Sequence, residues 1–547
     1  MKKLLLAATL IAGIFSCTKV DYHLGGDFIA TDQQYDIYTA EFNLTDIRMR
    51  TVDSLSAYSA RRIAFGTIRD DTFGTFRKGC AVTLVPVLDT VYFGENPKFQ
   101  RFIFRAESDS VSVADESQFN ILQNVNVFSL TEPLDPDAYF ARTEVKHGGK
   151  RVTKGVPVYN GTDSLSFEFT EEYGKQYLGI TQSDLQDMTA YTKKFPGIYI
   201  STDDPIGEGG RINLFKMAIL EPASSGLMRT NNYALLYYSG EYDGERRDSV
   251  LMFYFSPLKF QDLDSLIKVK TTPNQYVFNV DTHETDDMAG VATDKIYVEG
   301  GSGLKPMIPA GEIKRLVIDE IRRRGGDPTT AVISKASLEL PFEFPEDYRQ
   351  MAYYPQVLSP TMRIKTDTSL TFAGLADAGV GTEDQGNLNR SLCCYAPDIT
   401  HHLQQILNFG DKDAPANYDV WFLIVRNEKT TQTNAEASQM SDYYEQIAQM
   451  SYLNQLYGGG YGGYGGYGGY GGYGGYGGYG GYGYGSYGGY GNYYNYYMMA
   501  EYARAAATTT TTTPVMDKER YYKAILNGPT SAAAKPKLKV TFALPKK

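Results

Sequence analysis

Cysteine and histidine are scarce in this chain, which has four cysteines and five histidines in 547 residues. Cys393 and Cys394 are adjacent, and adjacent cysteines rarely bridge each other. The sequence therefore predicts no disulfide framework, although Cys80 could pair with one of the two. We interpret Cys80, Cys393 and Cys394 as small buried hydrophobic residues. No His-Glu-x-x-His motif occurs, and we predict neither a metal site nor a cofactor.

Basic excess and long internal apolar runs are missing as well. The chain has 53 Lys and Arg against 64 Asp and Glu, a formal net charge of −11. An acidic surface argues against nucleic acid as a partner. Beyond the N-terminus no stretch is long and apolar enough for a membrane-spanning helix.

Catalytic motifs are not recognisable either. Gly74 to Gly79 has the spacing of a P-loop, but Cys80 stands where the phosphate-binding lysine is needed. No serine lies in a Gly-x-Ser-x-Gly motif. Paired carboxylates such as Asp70-Asp71 and Asp203-Asp204 are more typical of surface turns than of a glycosidase. We predict no catalytic residues and a protein that is not an enzyme.

One acidic loop is the best group of hard metal ligands in the sequence. We interpret it as a solvated loop, with a Ca²⁺-type site as the alternative. The group consists of Asp281, His283, Glu284, Asp286 and Asp287.

The N-terminus carries the most specific signal. Lys2 and Lys3 precede an apolar run from Leu4 to Phe15, which has the length of a signal-peptide core. The run ends on Ser16-Cys17, which resembles the lipobox of bacterial lipoproteins. We predict cleavage before Cys17 and lipidation of Cys17, which would anchor the protein to a membrane by acyl chains.

The remaining chain is typical of a mainly β protein. Short runs of alternating Val, Ile, Tyr, Phe and Thr predict β-sandwich modules with a few short helices. The apolar stripe of Glu312 to Arg324, ended by Gly325-Gly326, predicts a helix. Asp398 is expected to cap a helix through Asn408, and Asp517 another through Asn527. A final strand is predicted over Leu538 to Leu544.

The predicted organisation has four parts: a signal peptide (1–16), a lipidated tether (17–30) and two β-rich domains (31–245 and 246–547). The second domain holds an insert at about 430–515, in which residues 457–490 are almost purely Tyr and Gly. That repeat has no aliphatic residue and a high entropic cost at each glycine, so we predict disorder. The insert is either a passive loop or an adhesive arm.

Aromatic residues are plentiful but uneven, with 45 Tyr against one Trp. Trp421 lies in the apolar run Val420 to Val425, so we expect it to pack in the core rather than to stack on a sugar. Arg322 to Arg324 could meet phosphate groups, but the dipole of the preceding helix already explains a basic last turn.

Four segments of the sequence carry a family resemblance. Arg69 to Gly74 resembles the Asp-x-x-Phe-Gly signature of a Bacteroidota outer-membrane lipoprotein family built on one large domain of unknown function. Ile296 to Gly303 and Ile333 to Leu340 are similar to its central strand, Gly turn and following strand. Asp517 to Pro529 resembles its ending, and a Tyr-rich low-complexity insert before that ending also fits.

The resemblance implies a lipid-anchored, outer-membrane protein without catalytic residues that faces the cell surface. A structural or scaffolding role, such as an accessory subunit of protein assembly or transport machinery, is the expected function. Its partners would be the membrane and an outer-membrane protein complex. The alternative is a glycan-binding lipoprotein that works with a nutrient importer. Thr18 to Asp21 has only one acid, unlike acidic surface-export signals, so the side of the membrane stays open.

Overall fold

The computed structural model describes most of the chain after the predicted tether. The described residues are 34–135, 137, 139–223, 226–269, 273–365, 370–379, 384–409, 415–433 and 508–546. The predicted signal peptide, Cys17, the tether at 17–30 and the Tyr/Gly repeat at 457–490 lie outside the described residues.

Strands dominate the described residues, and the predicted mainly β class is confirmed. The strands of the first half are β1 (Tyr35–Asn43), β2 (Arg48–Arg50), β3 (Tyr58–Ser59), β4 (Arg62–Asp70), β5 (Gly74–Val82), β6 (Leu84–Pro86), β7 (Glu95–Ala106), β8 (Ser108–Val113), β9 (Gln123–Leu130), β10 (His147–Arg151), β11 (Val158–Tyr159), β12 (Leu165–Glu168), β13 (Ile198–Thr202), β14 (Gly209–Lys216), β15 (Leu220–Ala223), β16 (Gly226–Arg229), β17 (Tyr233–Tyr242) and β18 (Glu245–Phe255). Those of the second half are β19 (Val277–Thr282), β20 (Gly290–Val291), β21 (Lys295–Glu299), β22 (Lys305–Ile308), β23 (Val332–Pro341), β24 (Val357–Lys365), β25 (Leu370–Gly374), β26 (Leu388–Asn389), β27 (Cys394–Tyr395), β28 (Val420–Thr433), β29 (Thr508–Met516), β30 (Lys523–Asn527) and β31 (Lys537–Pro545).

Helices in the described residues are short. The α-helices are α1 (Glu171–Gln176), α2 (Gln182–Gln186), α3 (Met188–Lys194), α4 (Leu263–Lys268), α5 (Ala310–Arg323) and α6 (Thr400–Asn408). Single 3-10 turns cover Glu116–Gln118, Tyr177–Gly179, Asp286–Met288, Tyr348–Ala352, Ala376–Gly379 and Pro415–Tyr418. No helix in these ranges is both long and apolar enough to cross a membrane.

Two antiparallel sheets pack face to face around the first core. The first sheet has the order β10-β9-β13-β5-β4-β14-β8, with β3, β11 and β19 joined to it, and the second has the order β12-β7-β17-β18-β6. Phe65 and Phe215 stack in the first sheet, while Phe104 and Phe255 stack in the second. All four lie in one cluster of buried residues, so this half is a β-sandwich.

The second core combines two further sheets with the two longest helices. The third sheet has the order β1-β31-β23-β27-β26, and the fourth has the order β20-β2-β22-β28-β24-β25 with β29 beside β28. Apolar residues of α5, such as Val317, and of α6, such as Leu403, are buried in the same cluster as Phe422 of β28 and Val540 of β31.

The predicted division between residues 245 and 246 lies inside a β-hairpin. Strands β17 and β18 pair from Ala234 opposite Phe253 to Tyr242 opposite Glu245. Asp243 and Gly244 both have positive φ, 53° and 80°, as a two-residue hairpin turn requires. Asp243 and Gly244, next to the predicted division, therefore connect two paired strands.

The two cores follow different limits along the chain. The first core contains residues from Ile63 to Val277. The second starts earlier, with Leu44 and Met49, and continues from Ala292 to Leu544. Strand β1 belongs to the second half because it pairs residue for residue with β31, near the other end of the chain.

Two of the predicted helices are present in the structure, and one of them has a different cap from the one predicted. The helix over Glu312 to Arg324 is confirmed as α5, with Gly325 at a φ of 78° after it. The helix ending at Asn408 is confirmed as α6, but Asp398 does not cap it. Instead, the Asp377 carboxylate accepts the backbone N–H groups of His401 and His402, at 2.7 and 3.0 Å.

The helix predicted from Asp517 to Asn527 is wrong. Residues Lys523–Asn527 form β30, which pairs with β21 over five residues. The Asp517 side chain does accept backbone N–H groups, those of Glu519 and Arg520, but it closes a turn that leads into this strand. The predicted final strand is confirmed as β31.

Strands β28 and β29 form a hairpin that brackets the predicted insert. Their register runs from Val425 opposite Met516 to Thr433 opposite Thr508. Thr508 to Thr513, the threonine run, is thus a strand, as the β propensity of threonine favours. Trp421, near the base of β28, is buried as predicted and packs edge-on against Phe372.

Candidate functional site

Five charged side chains meet where the two halves of the molecule join, and we name this cluster the ionic junction. Lys78 on β5 and Asp281 on β19 come from the first sheet. Glu299 ends β21 and Lys305 begins β22, both of which pack with the second core. His283 follows β19. The side chains of Lys78 and Asp281 are 1% and 0% exposed, so the junction is shielded from water.

Asp281 is the centre of the ionic junction. Its Oδ2 accepts from Lys78 Nζ at 3.1 Å and from the backbone N–H of Ser302 at 3.2 Å, and its Oδ1 accepts from the Ser302 hydroxyl. Burial opposes its charge, but Lys78, His283 and Ser302 together hold the pKa of Asp281 well below its usual range. The carboxylate therefore stays charged inside the protein.

His283 lies between two carboxylates. Its Nδ1 is 3.2 Å from Glu299 Oε1, and its Nε2 is 3.6 Å from Asp281 Oδ1. Burial disfavours the charged ring, yet hydrogen bonds and charge from Asp281 and Glu299 raise the pKa of His283 above its ordinary value. The geometry suits an imidazolium that links the two acids.

Lys305 closes the junction from the side of the glycine turn. Its Nζ donates to the carbonyl oxygens of Glu299, Gly301 and Gly303, at 2.5, 3.1 and 3.2 Å. Its nearest partners are carbonyls rather than a carboxylate, and burial lowers the pKa of Lys305 to about 8. Gly301 has a φ of 52°, and a Cβ there would lie 2.3 Å from Asp281 Oδ2. The predicted turn therefore needs glycine at position 301, where the backbone lies close to the Asp281 carboxylate.

Three of the segments that carry the family resemblance meet beside this junction: Arg69 to Gly74, Ile296 to Gly303 and Asp517 to Pro529. Asp70 accepts the N–H groups of Thr72 and Phe73, both at 3.0 Å, in the turn between β4 and β5. Its other oxygen accepts from Lys523 Nζ at 2.5 Å. Phe73 packs edge-on against Tyr297, at 5.7 Å between ring centroids. Segments more than 400 residues apart therefore build one contact region.

The acidic loop that sequence singled out is divided among internal partners. Asp281 and His283 belong to the ionic junction. Glu284 accepts the Thr75 N–H at 2.9 Å, and Asp286 binds Arg142 through two hydrogen bonds of 2.7 and 2.9 Å. Across the described ranges, no group of three or more His, Cys, Asp or Glu side chains is placed to hold a metal ion.

The structure also places three cysteines, a histidine and two arginines that could have had a functional role. Cys80 and Cys394 are buried and Cys393 is partly exposed, and all three are free thiols. His402 is fully buried, with Nε2 2.9 Å from the Tyr418 carbonyl oxygen. Arg323 and Arg324 both donate to Glu320, which occupies part of the basic helix end.

A small pocket opens on the outer face of the first sheet, next to the ionic junction. It has a volume of about 270 Å³, and Thr67, Tyr199, Ser201, Thr202 and Thr282 supply hydroxyl groups to its wall. The sequence does not predict this pocket, because its residues come from four strands and form no motif.

Comparisons with protein-family models, with curated proteins and with solved structures give no match for this chain.

Proposed function

We propose that this protein is a lipid-anchored lipoprotein of the outer membrane, facing the cell surface, with a non-enzymatic scaffolding role. Lys2-Lys3, the apolar run from Leu4 to Phe15 and Ser16-Cys17 support the anchor. The first strand begins at Tyr35, so an extended tether from Cys17 would span at most about 60 Å. The fold would therefore stay within reach of other proteins at the membrane.

The observation that carries the scaffolding role is the ionic junction. Its buried charges come from both halves of the molecule and are held by ion pairs with one another and by backbone carbonyl groups. Buried, mutually hydrogen-bonded charges favour one fixed arrangement of the elements that carry them. A rigid body of two joined β-rich halves suits a subunit that holds partners in position.

Retention of partners after gentle detergent extraction tests the scaffolding role. We expect the full-length protein to co-purify with an outer-membrane assembly or transport complex, and Cys17→Ala to lose both labelled palmitate and that complex. Palmitate incorporation that persists in Cys17→Ala would overturn the anchor. Wild-type protein that is lipidated but carries no stable protein partner would overturn the scaffold.

A glycan-binding lipoprotein that supplies a nutrient importer is the second candidate. The hydroxyl-lined pocket on the first sheet favours it, because pockets for neutral ligands combine a small apolar surface with a few fixed polar groups. Binding of wild-type protein to immobilised polysaccharide, in the absence of a protein partner, would favour this function over the scaffold.

A further inference from the structure

The pocket on the first sheet lies where three strands meet on β5. Cys80 pairs with Ile200 of β13 and with Asn279 of β19, so these two strands flank β5 on opposite edges. Strand β4 pairs with the earlier part of β5, up to Lys78. Thr67 of β4 and Thr202 of β13 meet at 3.2 Å between hydroxyl oxygens. Paired strands therefore form the pocket wall, which is fixed before any ligand arrives.

Gly79 lines the pocket and lies beneath the Tyr199 side chain. A Cβ at this position would lie 2.0 Å from the Tyr199 hydroxyl oxygen, so only glycine lets the phenol lie flat over the β5 backbone. The His147 ring stacks on Tyr199, with centroids 4.9 Å apart and planes at 12°. Burial raises the pKa of Tyr199 to about 12, so the hydroxyl remains a hydrogen-bond donor.

The charges around the pocket are already neutralised. Arg77 binds Asp204 through two hydrogen bonds of 2.8 Å and Glu284 through one of 3.3 Å. Lys78 binds Asp281, as described above. A charged ligand would have to compete with these pairs, whereas a neutral one would leave them intact.

The remaining polar side chains in the pocket wall carry hydroxyl groups. The hydroxyl groups of Tyr199, Ser201 and Thr282 line the pocket, whereas those of Thr67 and Thr202 lie 3.2 Å from each other. Val280 adds an apolar surface beside them. At about 270 Å³ the space is just below the ~300–1,000 Å³ of ordinary ligand pockets, which favours one small ring over an extended chain.

We propose that this pocket binds a single neutral sugar ring, with Tyr199 and Ser201 as its main hydrogen-bonding residues. The ring hydroxyls would take the donor and acceptor positions of these side chains, while a ring face would pack on Val280. The proposal deepens the glycan-binding alternative and does not depend on the scaffolding role.

Saturation-transfer NMR on the full-length protein tests the site. The protein is kept in a detergent without sugar groups, and glucose, galactose, mannose and N-acetylglucosamine are the probes, with glucuronate as the charged comparison. We expect transfer to at least one neutral sugar and weaker transfer to glucuronate. Tyr199→Phe removes one hydroxyl and should weaken binding about three- to tenfold. Ser201→Leu should fill the pocket and abolish binding.

Ser166→Leu is the matched control, because Ser166 is an exposed strand serine on β12 in the second sheet. Its sugar signal should equal that of the wild type. A wild-type protein that receives no neutral sugar, or a Ser201→Leu variant that binds as well as the control, would overturn the site. Preference for glucuronate would overturn its neutral character. Should Ser201→Leu fail to fold by melting analysis, unchanged affinity in Tyr199→Phe would overturn the proposal. Partner retention is measured separately, so failure here leaves the scaffold unaffected.

Discussion

The side chains of Lys78 and Asp281 are both buried. Either charge without the other would lower the free energy of unfolding. Removing water from both groups costs several kcal/mol, and the pair recovers this only because each has further hydrogen bonds. Lys78 Nζ also donates to the Lys518 carbonyl oxygen at 2.9 Å, and Asp281 has Ser302. Each residue is therefore tolerated inside the protein through the other.

The pair makes a double-mutant cycle informative. Asp281→Leu leaves the Lys78 ammonium unpaired and should lower the free energy of unfolding by about 3–5 kcal/mol. The double variant Lys78→Met/Asp281→Leu should lose much less, because no isolated charge remains. Urea unfolding followed by circular dichroism measures the wild type, Asp281→Leu, Lys78→Met and the double variant.

An exposed pair provides the control for this cycle. The side chains of Lys150 and Glu172 are 82% and 76% exposed, and Lys150 Nζ lies 3.0 Å from Glu172 Oε2. Because exposed ion pairs stabilise a fold little, Lys150→Met should change the free energy of unfolding by less than about 0.5 kcal/mol. Additive effects of the two substitutions at Lys78 and Asp281 would contradict the coupling.

His283 should make stability depend on pH. Because Asp281 and Glu299 raise the pKa of His283, the charged ring stabilises the fold. That contribution is fully present below the ordinary pKa of about 6.5 and is lost as pH rises through the higher folded pKa. His283→Gln should therefore cost more stability at pH 6 than at pH 9. Unfolding free energies at both pH values test this, and a cost that stays constant or grows with pH would refute it.

Little of the ionic junction could be predicted from the sequence. Lys78, Asp281 and Lys305 are charged residues within β-type runs, where a surface position is the ordinary expectation. Their burial follows from strand pairing between segments some 200 residues apart. The Gly300 to Gly303 turn was predicted, but the lysine ammonium held by its carbonyl groups was not.

Helix α5 shows which elements local sequence does determine. Its apolar stripe and the glycine after it are encoded within a few residues, and both predictions were confirmed. Strand β30 shows the limit. Asp517 and the Gly-Pro sequence after Asn527 fit a capped helix as well as a turn and a strand, and pairing with β21 decides between them. That pairing joins residues more than 220 positions apart, which no local pattern reports.

Gly311 in α5 and Gly325 after its end offer a matched test of the helix end. Gly325 has a φ of 78° and no atom within 4 Å of a built Cβ, so Gly325→Ala should lose about 1–2 kcal/mol from the backbone alone. Gly311, inside the first turn, also has open space but no positive φ. Gly311→Ala should instead gain up to about 1 kcal/mol. Thermal unfolding of both variants compares them, and shifts of the same sign would contradict the assigned helix end.

At the scale of the whole molecule, the two ends of the described chain are held together. Strand β1 pairs with β31 from Tyr35 opposite Pro545 to Asn43 opposite Lys537. Such long-range antiparallel pairing makes the second core depend on residues from both ends. The mainly β class could be predicted from alternation, but this pairing could not, since both strands have the same pattern as many others.

The hairpin of β28 and β29 lies at the base of the predicted insert. Register between β28 and β29 brings Thr433 opposite Thr508, so the connection closes over a short distance whatever its length. Loop-closure entropy changes only slowly with length, by about 0.6 kcal/mol per doubling. Replacing residues 458–491 by a short Gly/Ser linker should therefore leave the melting temperature and palmitate incorporation nearly unchanged.

Partner retention then separates the two roles of the insert. Retention that drops while stability holds would identify the tyrosine repeat as an adhesive arm, and unchanged retention would identify a passive loop. A large fall in melting temperature would show that the repeat packs on the fold. In that case the pairing of β28 with β29 between Val425 and Thr433 would depend on the insert.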